Sequence, residues 1–186
     1  MIRILLLVCL NLMMLGATGQ TFYPVAEIPK NLLPYASAVV RSMETVIEVK
    51  DLNTTINHYK LVVTILNKNG DDQADMVIWY DKGRRIKYIK GVVYDEYGKP
   101  TAKFSEKNFL DFSAGDGFSM FVDTRLKHYK PSVVAYPYTL EYEYEVQSRQ
   151  TLNFGDWNPN GDIGTAVQHS VYNLSVHPIL PSGTRR

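Results

Sequence analysis

Residues 136–146 alternate in an unbroken period of two. Tyr136, Tyr138, Leu140, Tyr142, Tyr144 and Val146 fall on one parity, and Pro137, Thr139, Glu141, Glu143 and Glu145 on the other. This spacing belongs to a β-strand, because successive side chains of an extended backbone leave on opposite sides. The aromatic and aliphatic side must pack on a core, while the three carboxylates face water or cations on adjacent strands. The sheet is therefore expected to be covered on one side.

The same period recurs at Met43, Thr45, Ile47 and Val49, and again at Tyr59, Leu61, Val63 and Ile65, with a hairpin across Asp51, Leu52 and Asn53. Ala74, Met76, Ile78 and Tyr80 alternate after a turn at residues 67–70, whose Asn and Gly tolerate positive φ. Residues 86–94 are less regular, and Gly91 predicts a bulge or bend there. A turn follows at 96–99, and residues 118–125 and 167–176 read as further strands. Helical period is weak: residues 35–41 and 106–112 allow one or two turns at most. The chain after its leader is predicted to be all-β, an antiparallel β-sandwich or an open barrel. No internal repeat or low-complexity tract divides it.

The first 19 residues read as a secretory leader: Arg3, an apolar run from Ile4 to Leu15, then Gly16, Ala17, Thr18 and Gly19. The run is too short for a bilayer crossing, which takes about 20 residues. Residues 20–36 form a lead-in and 37–186 the β-sandwich domain. Cleavage after Gly19 removes the single cysteine, Cys9, and Arg3, so the 20 cations of the full chain become 19 against 19 acidic residues. A mature chain without net charge or thiol has no field to steer anionic polymers, no disulfide, no thiolate zinc site and no cysteine nucleophile.

Other chemistry finds little support. His58, His128, His169 and His177 occur in no H-E-x-x-H, and neither G-x-S-x-G nor a glycine-rich phosphate loop is present. Catalytic residues and cofactors are expected to be none. Asp156, Asn158, Asn160 and Asp162 reproduce the first half of a calcium loop, but Val167 stands where the closing glutamate belongs, so a turn is the simpler account. Asp71, Asp72 and Asp75 read as a solvated acidic loop. Lys82, Arg84, Arg85, Lys87 and Lys90 beside Trp79 and Tyr80 resemble a single-strand nucleic-acid surface, which export and charge balance argue against. They are expected on a solvent-facing strand pair opposite the glutamates. Trp79, Tyr80 and Trp157 are the candidate contact residues, with glycan binding as one use of exposed aromatics.

From Ser37 onward the pattern resembles an exported bacterial domain of unknown function, number 3857 in its series, a domain found in front of a transglutaminase-like core. The resemblance rests on MVIWYDKGRRIKYIKGVVYDEYGKP, on FVDTR with Asp123 and Arg125, on YPYTLEYEYEVQS, and on the stretch from Phe154 through Trp157 into HSVYNLSV. It implies a β-sandwich at the Gram-negative cell envelope, with a transglutaminase-like core or another envelope protein as partner and no catalytic residues to carry over. Asp123 and Arg125 would face the same way on a strand over 121–125 and fix a corner of the structure. The chain stops soon after HPILPSGTRR, where a transglutaminase-like relative would continue into a core. Three functions follow as expectations: a non-catalytic interaction module, the front piece of a split transglutaminase or cysteine-peptidase-like enzyme, and a glycan- or calcium-binding module.

Overall fold

The computed structural model describes residues 22–113, 123–133, 135–150, 154 and 157–177. The expected leader, Asp156, and residues 118–122 of the strand expected over 118–125 lie outside them.

Ten strands among the described residues form two facing sheets. The larger contains β1 (Ala38–Asp51), β2 (Thr54–Ile65), β8 (Tyr138–Ser148), β4 (Arg84–Tyr94), β5 (Pro100–Ser105), β9 (Thr165–Val167) and β10 (Ser170–Val176), in the order β10-β1-β2-β8-β4-β5 with β9 also on β1. The smaller has the order β3-β7-β6, from β3 (Met76–Tyr80), β7 (Arg125–Tyr129) and β6 (Leu110–Ser113). Neither sheet closes on itself, and the expected all-β, sandwich-like fold is what the chain forms. The long alternating segments became β1, β2 and β8, and the hairpin turns at Asp51 and Thr54 as expected.

The core lies between the sheets. Leu61, Val63 and Ile65 of β2, Tyr138, Leu140, Tyr142 and Val146 of β8, and Ile89 and Val93 of β4 meet Met76 and Ile78 of β3. Phe104 and Phe109 complete it, their rings tilted against Tyr129 at centroid distances of 4.7 and 5.3 Å. On the other parity, Lys60 and Lys90 bridge Glu141 and Glu143 at 2.8 and 2.7 Å, the cation-to-glutamate match anticipated for this face.

Several local expectations are corrected. Residues 38–41 are strand, not helix, because Ala38 and Val40 are drawn into the core beside Ile65 and Val63. The turn at 67–70 extends into a 3-10 helix, Lys68–Ala74, capped by the Asn67 side chain accepting from the Asn69 amide. Gly91 sits in unbroken register with Phe104 and Tyr142; the β4 irregularities fall instead between Ile86 and Tyr88 and beyond Val93. The expected strand over 167–176 is two strands, interrupted at Gln168 and His169, both parallel to β1.

The large sheet is also covered on its back, against the one-sided expectation. Val39, Val62, Thr64 and Thr139, all of back-face parity, are 0–1% exposed. The lead-in lies on this side. Its Tyr23 ring meets Tyr94 edge-on at 5.5 Å and its hydroxyl donates to Glu141, while Arg41 donates to the Pro24 carbonyl at 3.2 Å. Glu141 accepts from Tyr94 and Lys60 as well. Burial alone would raise its carboxyl pKa, but the Lys60 and tyrosine hydrogen bonds and the Lys60 charge outweigh that and hold it below the ordinary range.

Candidate functional site

The small sheet presents opposite chemistry on its two faces, as the pleat requires. Register places Val77, His128 and Leu110 in one row and Trp79, Leu126 and Phe112 in the next, all on the outward face. Val77, Trp79, Leu110 and Phe112 are 44–61% exposed. Grouped apolar side chains on a soluble domain mark a contact surface more often than scattered ones do. The other parity turns toward the large sheet, burying Met76 and Ile78 at one end.

At its opposite end the inner parity holds a polar cluster. The Tyr80 hydroxyl donates to Asp111 Oδ2 at 2.6 Å, and Arg125 donates to Asp111 Oδ1 through Nε at 3.0 Å and lies 2.9 Å away through Nη2. Lys127 stands 3.3 Å from both Asp111 and Glu106. The Tyr80 hydrogen bond first, then those from Arg125 and Lys127, depress the Asp111 carboxyl below its ordinary value. A carboxylate saturated with donors in this way is a weak proton acceptor, so the cluster is built to fasten β3, β6 and β7 together.

Concavities lie elsewhere as well. A groove of about 540 Å³ runs between the β4–β5 turn and the segment leading into β8, lined by Tyr94, Tyr97, Tyr129, Tyr136, Tyr138 and Val133 among others. Tyr136 is fixed there by donating its hydroxyl to Asp71, at 2.7 and 2.8 Å to the two carboxylate oxygens. A smaller cleft of about 230 Å³ is lined by Ile47, Thr55, Asn57 and Phe154, and Thr55 Oγ1 and Asn57 Oδ1 are buried without a hydrogen-bond partner among the described residues. No group of three or more metal-ligating side chains occurs among the described residues.

Residues 53–181 match the model of a family described as a domain of unknown function with a solved structure, DUF3857. The chain belongs to this family. β1 precedes the matched span, although it pairs with β2, β9 and β10. No curated protein matches the chain. Among solved structures, one of a candidate protease from Parabacteroides distasonis ATCC 8503 superposes with a TM-score of 0.61 at 11% identity, covering 75% of this chain and 29% of that one. The likeness shows a shared fold, and the DUF3857 chain spans under a third of that protein's length. An M1 zinc metallopeptidase from Deinococcus radiodurans reaches a TM-score of only 0.29 at 11% identity, covering 67% of this chain and 23% of that one.

The DUF3857 fold does not bring the three sequence-predicted contact residues together. Trp79 is on the outward face of the small sheet, and Tyr80, its neighbour, points inward to Asp111 and Arg125. Trp157 lies against the large sheet at β10, its ring 6.0 Å from that of Tyr172 and its Nε1 donating to Ser170. Asp123 and Arg125 do not share a strand face, since β7 begins at Arg125. Asp123 pairs with Lys82 at 2.8 Å and Arg125 with Asp111. Within the calcium-like loop, Asn158 accepts from the Asn160 amide in a turn and Asp162 accepts from Gln73. Gly161 adopts φ +68°, so the segment has the geometry of a chain reversal.

The acidic segment is exposed at Asp72 and Asp75, as expected, and two of its carboxylates also hold partners. Asp71 holds Tyr136, and Asp75 contacts the His128 ring. Of the basic run, Lys90 reaches Glu143, Lys87 reaches Gln147, Arg84 returns to Asp81, and Lys82 bridges to Asp123. Sequence reasoning missed Val77, Leu110 and Phe112 as partners of Trp79. The alternation of MVIWY was legible, but nothing local says that a second apolar row from residues 110–112 completes the face. Among the described residues, no helix is long and apolar enough to cross a membrane.

Proposed function

We propose that this DUF3857 domain is an exported, non-catalytic accessory module of the bacterial cell envelope that works by protein contact through the outward face of its small sheet. The observation supporting this reading is the pair of exposed rows, Val77 with Leu110 and Trp79 with Phe112, on a sheet whose inner polar groups are tied to one another. An exposed group of apolar side chains that includes Trp79 and Phe112 suits the buried centre of a protein interface, where aromatic residues are enriched. The proposed partner is a transglutaminase-like core or another envelope protein.

Capture from envelope extract tests it. The unaltered chain should retain a specific protein, and the Val77→Ser/Trp79→Ser pair should lose it while keeping its melting temperature. Retention by the double variant, or no specific protein in either arm, would reject the reading.

A second reading is favoured by the Parabacteroides structure, in which this fold makes up 29% of a longer chain. Here the domain is the front piece of a split transglutaminase or cysteine-peptidase-like enzyme. It requires a cysteine-bearing core encoded downstream, so the neighbouring reading frames decide it.

A further inference from the structure

Among the described residues, the outer strands of the two sheets are not protected alike, and β9, at three residues, is the shortest of them. β5 opens on Pro100 and carries Lys103, β6 has four residues including Asp111, and β3 has five residues between Asp75 and Asp81. β10, Ser170–Val176, is the longest of these edges at seven residues, SVYNLSV, with no charge, no proline and no register shift against β1. Edge strands are ordinarily blunted by such features because their free N–H and C=O groups template further pairing. Leu174 and Val176, whose register partners are Ile47 and Val49, are 48% and 60% exposed.

The parallel pairing fixes which backbone groups are free. His177 donates its amide to Val49, and Met43 donates to His169, so the odd-numbered residues of this strand turn their amides and carbonyls toward β1. Ser170, Tyr172, Leu174 and Val176 then point theirs outward. We propose that β10 is the interface of a homodimer, in which two copies pair their β10 strands antiparallel about a two-fold axis at Asn173 and join the two large sheets into one. An axis at Asn173 sets Tyr172 opposite Leu174 of the second copy and Ser170 opposite its Val176. All four outward-facing residues fall in hydrogen-bonded positions, giving about eight backbone bonds.

The side chains agree with a second copy as occupant. A self-paired strand sets its own charges against themselves, and this segment has none. Leu174 of the second copy comes against Tyr172, beside the Trp157 ring, which covers exposed apolar surface on both chains. Such an isologous contact closes at two and does not propagate.

Light scattering on the eluting protein should give twice the single-chain mass at micromolar concentration. Leu174→Lys, which puts a charge on the edge, should reduce this to one chain, whereas Val77→Lys on the small sheet should leave it unchanged. Asn173→Cys in a Cys9→Ser background tests the register without depending on edge stability. Closely spaced antiparallel pairs have Cα atoms about 4.5 Å apart, within disulfide range, so mild oxidation should link two chains there. Ser175→Cys, set opposite Val171 of the second copy, should link far less. A single-chain mass up to about a hundred micromolar overturns the proposal, as does a dimer whose Asn173→Cys form fails to cross-link. If Leu174→Lys does not fold, the cross-linking result alone decides.

Discussion

Gly91 shows how a single residue was half legible. A glycine that interrupts an apolar alternation marks a special backbone position, and the expected reason is a bulge or bend. The structure gives another. A Cβ built there would stand 2.1 Å from Phe104 Cζ and 2.7 Å from the Glu141 carbonyl oxygen, so the glycine is the seat of a core ring delivered by the neighbouring strand. Gly91→Ala should therefore destabilise the domain by about 1–3 kcal/mol, the usual cost of overpacking, read as a lower urea midpoint. Shortening the ring in Gly91→Ala/Phe104→Leu should recover part of that loss, since the carbonyl contact remains. Trp79 and Tyr80 make a similar point: adjacent aromatics of equal promise in sequence are separated by the pleat into an exposed ring and a fastened hydroxyl.

Among the strands, β2 and β8 were readable in facing though not in their ends, and the parity that packs against the small sheet is the one their alternation indicated. The polar parity was misjudged. Thr64 and Thr139 lie opposite each other in register, both 0% exposed, with their hydroxyls 2.8 Å apart. Threonine on the parity of Lys60 and Glu141 reads as solvent-facing, and nothing local shows that this end of the sheet is covered. Thr64→Val should cost about 1–3 kcal/mol by leaving the Thr139 hydroxyl buried without its partner, while Thr64→Val/Thr139→Val should lie close to the unaltered protein. Chemical denaturation of Thr64→Val and of the double variant checks this, and equal losses in single and double would refute it. β9 and β10 were legible only as extended chain, because a parallel return to β1 leaves no mark on a period of two.

At the scale of the whole molecule, Glu141 joins elements distant in sequence: Tyr23 of the lead-in, Lys60 of β2 and Tyr94 of β4. Its folded pKa is depressed, so its contribution to stability is complete above the unfolded value near 4.5 and is lost as pH falls through the lower folded value. Stability should decline below about pH 4.5, and Glu141→Gln should be less stable at pH 7 yet lose less on acidification over the same interval. Thermal unfolding at pH 7 and pH 3.5 measures both effects, and parallel losses in the two proteins would remove Glu141 as the cause. The sequence by itself determined that the domain is built of strands and which side of the longest ones is apolar, because alternation is a property of the extended backbone, present wherever the chain runs straight. Tertiary structure decided that the lead-in crosses the back of the large sheet, that Trp79 is completed by Leu110 and Phe112, and that β10 is left as an uncharged edge. Those outcomes depend on groups as far apart as Tyr23 and Glu141, 118 positions along the chain, and no local pattern encodes which distant segments will meet.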